Sequence, residues 1–427
     1  LGVPFTFIHA ADLHLDSPFK GLAKVPAVVR ERLRESAFVA FRRLVELAKR
    51  ENVDFVLLAG DLYDAADRSL RAQLRLQRAL TELAAAGIQV FAVHGNHDPE
   101  SGRQAKLDWP EHVHIFRSGD VECRPAYTRS GELAAHVYGI SYPTPAVTEN
   151  LALRFNKKDG APFHLALLHA NVDGSAGHDN YAPCRLEELT ASGFQYWALG
   201  HIHDRRILHE YPHVVYPGNL QGRSIRETGA KGAYIVTVSD AGSVLMRFKD
   251  LADVLWQEIK VSIEGIEREQ ELKNRLMQAV EELRKDADGR PVIVRVQLDG
   301  RGALHDRLLQ PAVVEEWLDE LREWLGAPEE ADAWVWPESI NVRTGCLLNL
   351  EEAANEEGFL GELLRQGLAA GGQAEQSKEL LEQALDRLRS HPKVRDWLQQ
   401  SSPELRAEWI RRAMELSVSL LREDETA

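Results

Sequence analysis

VDFVLLAGDLYD, residues 53–64, decides the architecture. Residues 53–60 form an apolar run that a glycine ends, the mark of a strand buried on both faces of an α/β sheet. The chain then turns at Asp61, at the carboxyl end of the strand. That is the edge at which open α/β sheets build their sites.

The same pattern repeats in both directions. Upstream, FTFI (5–8) reads as a short buried strand running into the loop HAADLHLD, and a helical pattern follows from about Val28 to Arg50. Downstream, residues 68–86 carry helical spacing at Leu70, Leu74, Leu76, Leu80 and Leu83. Gly87 closes that helix, and IQVFAV (88–93) is the next strand. FHLALLH (163–169) and YWALGH (196–201) are two more buried strands. AYIVTV (233–238) and VLMRFKDL (244–251) form a hairpin around Asp240-Ala241-Gly242. Alternating strands and helices imply an α/β fold, a layered sheet core with helices on both faces, spanning 1–251.

Residues 252–346 read as a small α+β domain: strand 255–261, helix 266–285, strand 291–298, helix 305–325 and a strand within 334–345. Leu272, Leu276, Val280 and Leu283 stripe the first helix, and Val314, Trp317, Leu321 and Trp324 the second. From 347 to 427 the pattern is a helical tail, interrupted at Gly371-Gly372. Its last helix starts at Ser402-Pro403, with serine as cap and proline in the first turn. Leu405, Trp409, Ala413, Leu416 and Leu420 form one apolar stripe there, a packing face or a partner surface.

With 427 residues, 44% hydrophobic and 27% charged, the chain has the composition of a soluble globular protein of two or three domains. No run approaches the ~18 apolar residues of a membrane span. The amino terminus has neither basic flank nor cleavage site, so no secretory signal is expected. The three cysteines, Cys123, Cys184 and Cys346, are scattered, which points to a reducing cytosol and away from a thiolate zinc site. Residues 1–250 hold 29 basic and 29 acidic side chains, and residues 251–427 hold 22 and 37, so the net charge of −15 lies in the second part. A global basic footprint for nucleic acid is missing. A polyanion would have to be held locally, by metal and a small basic patch.

Five short motifs end the predicted strands: Asp12-x-His14, Gly60-Asp61, Gly95-Asn96-His97-Asp98, His169, and Gly200-His201-x-His203. Taken singly, each is an ordinary turn residue. Together they supply oxygen and imidazole ligands in the right number for two divalent ions, manganese, iron or zinc. One ion takes Asp12, His14, Asp61 and His203. The other takes Asp61, Asn96, His169 and His201, with Asp61 as the bridge. His97 has no ligand role left and is the candidate general acid, with Asp98 either orienting it or capping a turn.

In this order the motifs resemble the calcineurin-like metallophosphoesterases. FIHAADLHLDSPF, LLAGDLYD, FAVHGNHD and LGHIHDRR are similar to the SbcD/YhaO group of DNA-repair exonucleases, which includes the meiotic recombination nuclease. YPGNLQGRSIRETGAKG (216–232) resembles the stretch that follows GHxH in that group. The resemblance implies a metallophosphoesterase sheet core at 1–251 and a DNA-capping domain at 252–346. By position it also implies a tail at 347–427 that binds an SbcC-like ABC-type ATPase, for which the apolar stripe would offer Leu405, Trp409, Leu416 and Leu420 as anchors. It leaves room for a homodimer. Archaeal and eukaryotic members carry a phosphate-contacting histidine three residues after the Gly-Asp aspartate. This chain has Asp64 there, so that contact is unassigned.

Arg205, Arg206, Arg223, Arg226 and Lys231 cluster in sequence after GHxH, as a solvated loop or a phosphate-binding patch that would hold DNA without reading it. The leading expectation is a cytoplasmic, two-metal DNA exonuclease or endonuclease acting in repair, with no membrane attachment. A phosphomonoesterase or cyclic-nucleotide phosphodiesterase shares its core, and a non-catalytic scaffold on the same fold ranks last because no ligand is missing.

Overall fold

A computed structural model describes residues 2–17, 19, 25–64, 69–102, 105–174, 179–347, 350–388 and 401–426, the side chains of 419, 420 and 422–426 excepted. Chain compactness divides it into two units. The first is Leu1–Gln257 with Arg284–Val294 and Gly326–Trp336. The second is Glu258–Leu283, Arg295–Leu325 and Pro337–Ala427.

Among the described residues, twelve strands lie wholly within the first unit. In chain order they are β1 (Phe5–Ala10), β2 (Phe55–Ala59), β3 (Gln89–Val93), β4 (Val113–Ile115), β5 (Glu122–Tyr127) and β6 (Leu133–Gly139). There follow β7 (His164–His169), β8 (Tyr196–Gly200), β9 (Arg206–Glu210), β10 (His213–Tyr216), β11 (Gly232–Val238) and β12 (Val244–Asp250). They form two six-stranded sheets, ordered β12-β11-β1-β2-β3-β4 and β5-β6-β7-β8-β10-β9. β1 to β4 pair in parallel, as do β6, β7, β8 and β10. The expected layered core is present, and its centre is a sandwich of two sheets.

Strand alternation explains the continuous apolar runs. Phe7, Phe55, Leu57 and Phe91 face inward against Leu165, Leu167, Tyr196 and Ala198 of the second sheet. Ile8, Val56, Leu58 and Val90 face the opposite way, against Phe38, Leu44, Leu76 and Leu80. Those four belong to two helices, α1 (Ala27–Arg50) and α2 (Leu70–Ala85). Ser69 caps α2, its side chain accepting from the Ala72 amide at 3.0 Å. On the far side Leu168, Trp197 and Leu199 pack with Leu189 of the helix Leu186–Ala191. Each such side chain contributes about 1.5–3 kcal/mol when fully buried. With both faces filled, the parallel strands can end only at one edge, and five of them deliver polar residues there.

A third sheet orders β13 (Leu255–Ser262), β14 (Val292–Asp299) and β15 (Val335–Val342). The expected helix 305–325 is two pieces, His305–Leu308 and Pro311–Leu325, because Pro311 lacks the amide that would continue the first. In the second piece only Leu321 is buried. The helix Glu269–Asp286 buries Leu272, Leu276 and Val280 as its spacing predicts.

The tail of the second unit contains helices Phe359–Gly371, Ala374–Ala384 and Pro403–Thr426. Leu350, Ala353, Ala354, Leu364, Ile410, Met414 and Val418 form its core. The terminal helix therefore packs on a different stripe from the one its leucines suggest. Leu405 and Leu416 are exposed and Trp409 is half-buried, while the Leu420 side chain lies outside the described residues. Arg301 pairs with Glu415 of this helix and donates to the Cys346 carbonyl at 3.1 Å. Among the described residues no helix is long and apolar enough to cross a membrane.

Candidate metal centre

Parallel pairing carries past the ends of β1 and β2. The Asp12 amide donates to the Gly60 carbonyl at 3.0 Å and the His14 amide to the Asp61 carbonyl at 2.9 Å. To aim their side chains inward, Asp12, His14 and Asp61 take φ of 53°, 44° and 51°, and His201 takes 100°. Left-handed backbone costs a non-glycine residue roughly 1–2 kcal/mol, and four such residues meet at one edge. A side chain at Gly95 could not be accommodated: its Cβ would overlap the Asp61 carboxylate and the His169 ring.

Two groups form. In the first, His14 Nε2 lies 3.2 Å from His203 Nε2, which lies 3.8 Å from Asp12 Oδ1. In the second, Asn96 Oδ1 lies 3.0 Å from His169 Nε2 and 3.2 Å from His201 Nδ1. Asp61 Oδ2 stands between them, 3.7 Å from His14 Nε2 and 3.4 Å from His169 Nε2. Ligand atoms of Asp12, His14 and His203, and of Asp12, Asp61 and His169, converge within 4.8 Å of one another.

Whether these donors suit metal ions is tested by what holds them. Every one of the four imidazoles is braced through its other nitrogen. His14 Nδ1 meets Asp64 Oδ1 at 3.0 Å, and His203 Nδ1 meets Glu227 Oε1 at 2.8 Å. His169 Nδ1 donates to the Ala59 carbonyl at 2.9 Å, and His201 Nε2 to the Asp179 carbonyl at 2.7 Å. A carbonyl or carboxylate behind each ring fixes its tautomer and leaves the front nitrogen as a ligand, the arrangement of metal-binding histidines. The local field agrees. Burial opposes charge on His169, yet Asp61 and then Asp12 lift its pKa to about 9. Burial likewise pushes Asp61 upward, but His169 and His14 hold it well below the usual carboxylate range. A largely buried site with oxygen and imidazole donors and no thiolate, in which Asp61 stays ionised, fits divalent cations.

His97 stands beside these groups. Its Nδ1 lies 2.9 Å from Asp64 Oδ1, its amide donates to Asp61 Oδ1 at 2.9 Å, and its side chain is 42% exposed, open to substrate. Burial lowers its pKa, but Asp64 and Asp61 more than reverse this and the net shift is upward. The residue that orients His97 is therefore Asp64. Asp98 is turned away: it accepts from the Leu62 and Gly95 amides and meets His94 Nδ1 at 3.1 Å, so the turn-capping role expected as its alternative is the one it fills.

The five basic residues after GHxH occupy separate situations. Lys231 is buried and donates to the His203 carbonyl at 2.9 Å, which ties down the loop and removes it from any phosphate. Arg205 stacks on Phe248, Arg206 pairs with Asp204 and Arg226 is exposed. Arg223 Nε lies 3.9 Å from Glu227 Oε1, the carboxylate behind His203, and after burial its charge is the next largest influence lowering the pKa of His14, to about 4. Sequence reasoning missed Glu227, an acid in an otherwise basic loop. Its Oε2 also accepts from Asn219 Nδ2 and the Arg223 amide, both at 2.7 Å.

Comparison with known proteins places this geometry. The calcineurin-like phosphoesterase family matches residues 5–205, and the middle domain of metallophosphoesterase YhaO matches 256–345. The chain is 41% identical over 359 residues to the uncharacterized metallophosphoesterase YhaO of Bacillus subtilis, covering 84% of this chain and 86% of that one. It is 32% identical over 257 residues to the DNA double-strand break repair protein Mre11 of Aeropyrum pernix, 55% of this chain and 58% of the other. A dimetal phosphatase from Danio rerio aligns with 59% of this chain and 98% of its own, at 14% identity and a TM-score of 0.36. The chain belongs to the YhaO family of calcineurin-like metallophosphoesterases, relatives of the Mre11 DNA-repair nucleases, and its paired His and Asp clusters are a dimetal site.

Proposed function

We propose that this metallophosphoesterase is a DNA phosphodiesterase. One observation carries the reading: two histidine–carboxylate groups share Asp61, and each imidazole is braced from behind. Asp12, His14, Asp61 and His203 hold one ion, and Asp61, Asn96, His169 and His201 the other. Manganese is the ion we assign, and iron or zinc also suits this mixed oxygen and nitrogen set. When bound, the ions supply Lewis acidity at phosphorus. The chain's own residues do the rest. Asp64 holds His97 through Nδ1, so Nε2 can carry a proton to the leaving oxygen. The neutral Asn96 keeps the net charge of the ligand set low, which favours an anionic substrate.

The choice of DNA over a small phosphate ester is supported by the similarity to Mre11 and by the length of chain appended to the catalytic segment. We assign 1–251 to nuclease chemistry, 252–346 to capping the nucleic acid and 347–427 to an ABC-type ATPase partner. The test is direct: the purified chain with Mn²⁺ should degrade linear duplex DNA in preference to p-nitrophenyl phosphate. Efficient turnover of the monoester with intact DNA would instead favour the phosphomonoesterase reading.

A further inference from the structure

We infer that the Arg223 guanidinium grips a non-bridging oxygen of the substrate phosphate beside the metal pair, an assignment that rests on the phosphoesterase reading of the site.

The guanidinium is unsatisfied as it stands. Among the described residues it makes no hydrogen bond, and its Nε is buried without a partner. The nearest counter-charge is Glu227 Oε1, 3.9 Å from Nε, beyond hydrogen-bond range, and the Arg223 side chain is only 25% exposed. Glu227 cannot close the gap, because it is committed to His203 Nδ1, Asn219 Nδ2 and the Arg223 main chain. A guanidinium presents five donors in a fixed fork, and leaving its buried Nε–H unpaired is costly. Such a group calls for an anion from outside.

Its location says which anion. Arg223 Nε lies 3.9 Å from Glu227 Oε1, the oxygen that braces His203 Nδ1 at 2.8 Å, so the guanidinium stands at the edge of the metal centre. Asp64 brings a negative charge to the same edge, against His14 Nδ1 and His97 Nδ1. A substrate phosphate needs a compensating cation there, and the fork of an arginine matches phosphate oxygens two at a time.

The loop is built to hold the fork still. Gln221 is buried and donates to the Gly222 and Val254 carbonyls at 3.0 and 2.7 Å, while its Oε1 accepts from the Asp253 amide at 2.8 Å. Trp256 Nε1 donates to the Gly222 carbonyl at 2.8 Å. A Cβ at Gly222 would meet the Trp256 ring at 2.9 Å, so only glycine lets the chain pass this closely before Arg223. Arg226, three residues on, is exposed, with no such anchoring of its side chain among the described residues.

The test uses the full chain loaded with Mn²⁺ and inorganic phosphate as probe, with binding measured by titration calorimetry and metal content by elemental analysis. R223A should keep two metals and bind phosphate about 10- to 100-fold more weakly, the range for a lost hydrogen bond to a charged group. R223K should recover only part of that, since a point charge lacks the fork, and R226A should bind as wild type. Wild-type phosphate affinity in R223A, or an equal loss in R226A, overturns the assignment. If R223A loses a metal, R223K decides: full phosphate affinity in that variant also overturns it, and any weaker affinity with both metals retained upholds it. Failure of the wild-type chain to cleave DNA would sink the nuclease reading while leaving this difference in phosphate binding legible.

Discussion

The metal centre and the terminal helix treat their side chains in opposite ways. At the strand ends each of the four candidate ligand histidines is braced from behind, and four residues adopt strained backbone to reach their places. In the tail, one stripe of the last helix is packed by a small cluster, while Leu405 and Leu416 on another stripe remain in solvent. Fixed geometry is what a two-ion site requires, because a ligand misplaced by a fraction of an ångström loses the ion. An exposed apolar stripe beside a satisfied one suits a surface whose counterpart is another chain.

The contrast is broken most severely at Asp61. Asp61→Asn should lose both ions together and drop activity further than any change at the proton donor, because both groups depend on this carboxylate. Elemental analysis of the purified variant checks it: retention of two metals per chain would remove Asp61 from its shared role. His97→Ala should keep both metals and lose about 10²–10⁴-fold in turnover. Asp64→Asn supplies the pH test. Burial lowers the His97 pKa, and the Asp64 carboxylate raises it beyond its ordinary value. A general acid must be protonated, so activity falls as pH rises through that pKa. Removing the Asp64 charge lowers the pKa and should move the alkaline limb of kcat to lower pH; an unmoved limb would separate Asp64 from His97.

These two regions also differ in how far the sequence could be read. Strands buried on both faces declared themselves, as VDFVLLAG and FHLALLH did, because the sheets leave them no polar face. Edge strands did not. β5 reads ECRPAY with mostly half-exposed or exposed side chains, and β4 has three residues, too few for any period to show. The motif residues were legible because each follows an apolar run. Their supports were not, since Asp64 and Glu227 reach the histidines across 50 and 24 residues of chain. Asp98 misled for the converse reason: adjacency to His97 in sequence says nothing about direction, and its carboxylate points back into its own turn. In the terminal helix two stripes carry helical spacing, and Leu405-Trp409-Leu416 is as apolar as Ile410-Met414-Val418. Only the packing of Leu350 and Leu364 shows which one the chain uses itself.

A smaller effect is expected inside the tail. Ile410→Ala removes a buried side chain from a cluster of seven and should destabilise it by about 2–5 kcal/mol, toward the lower end if so small a cluster collapses around the cavity. Hydrogen exchange should show faster opening of residues 403–418 with the amides of β1 and β2 unchanged. Protection unaltered in the tail would mean that Ile410 is not holding the helix.

The smallest effect on the folded chain, and the most telling, belongs to the outer stripe. Leu405 is 37% exposed and Leu416 51%, so replacing either with glutamate deletes little packing. Substitutions at such positions usually stay within about 0.5 kcal/mol. Removing residues 400–427 would be a poor test of partner binding, because Ile410, Met414 and Val418 would go with them and any loss could be unfolding. The double change Leu405→Glu and Leu416→Glu spares that inner stripe. If the outer stripe docks an ABC-type ATPase as a helix in a groove, two carboxylates on its contact face must be buried without partners, and co-purification should be lost while the thermal transition stays in place. Metal-dependent cleavage of a small diester should be unchanged, since the substitutions leave Asp61, His97 and their supports untouched. A variant that still co-purifies with the ATPase would move the contact off this stripe. A variant that melts early would mean that the leucines serve the protein's own core after all.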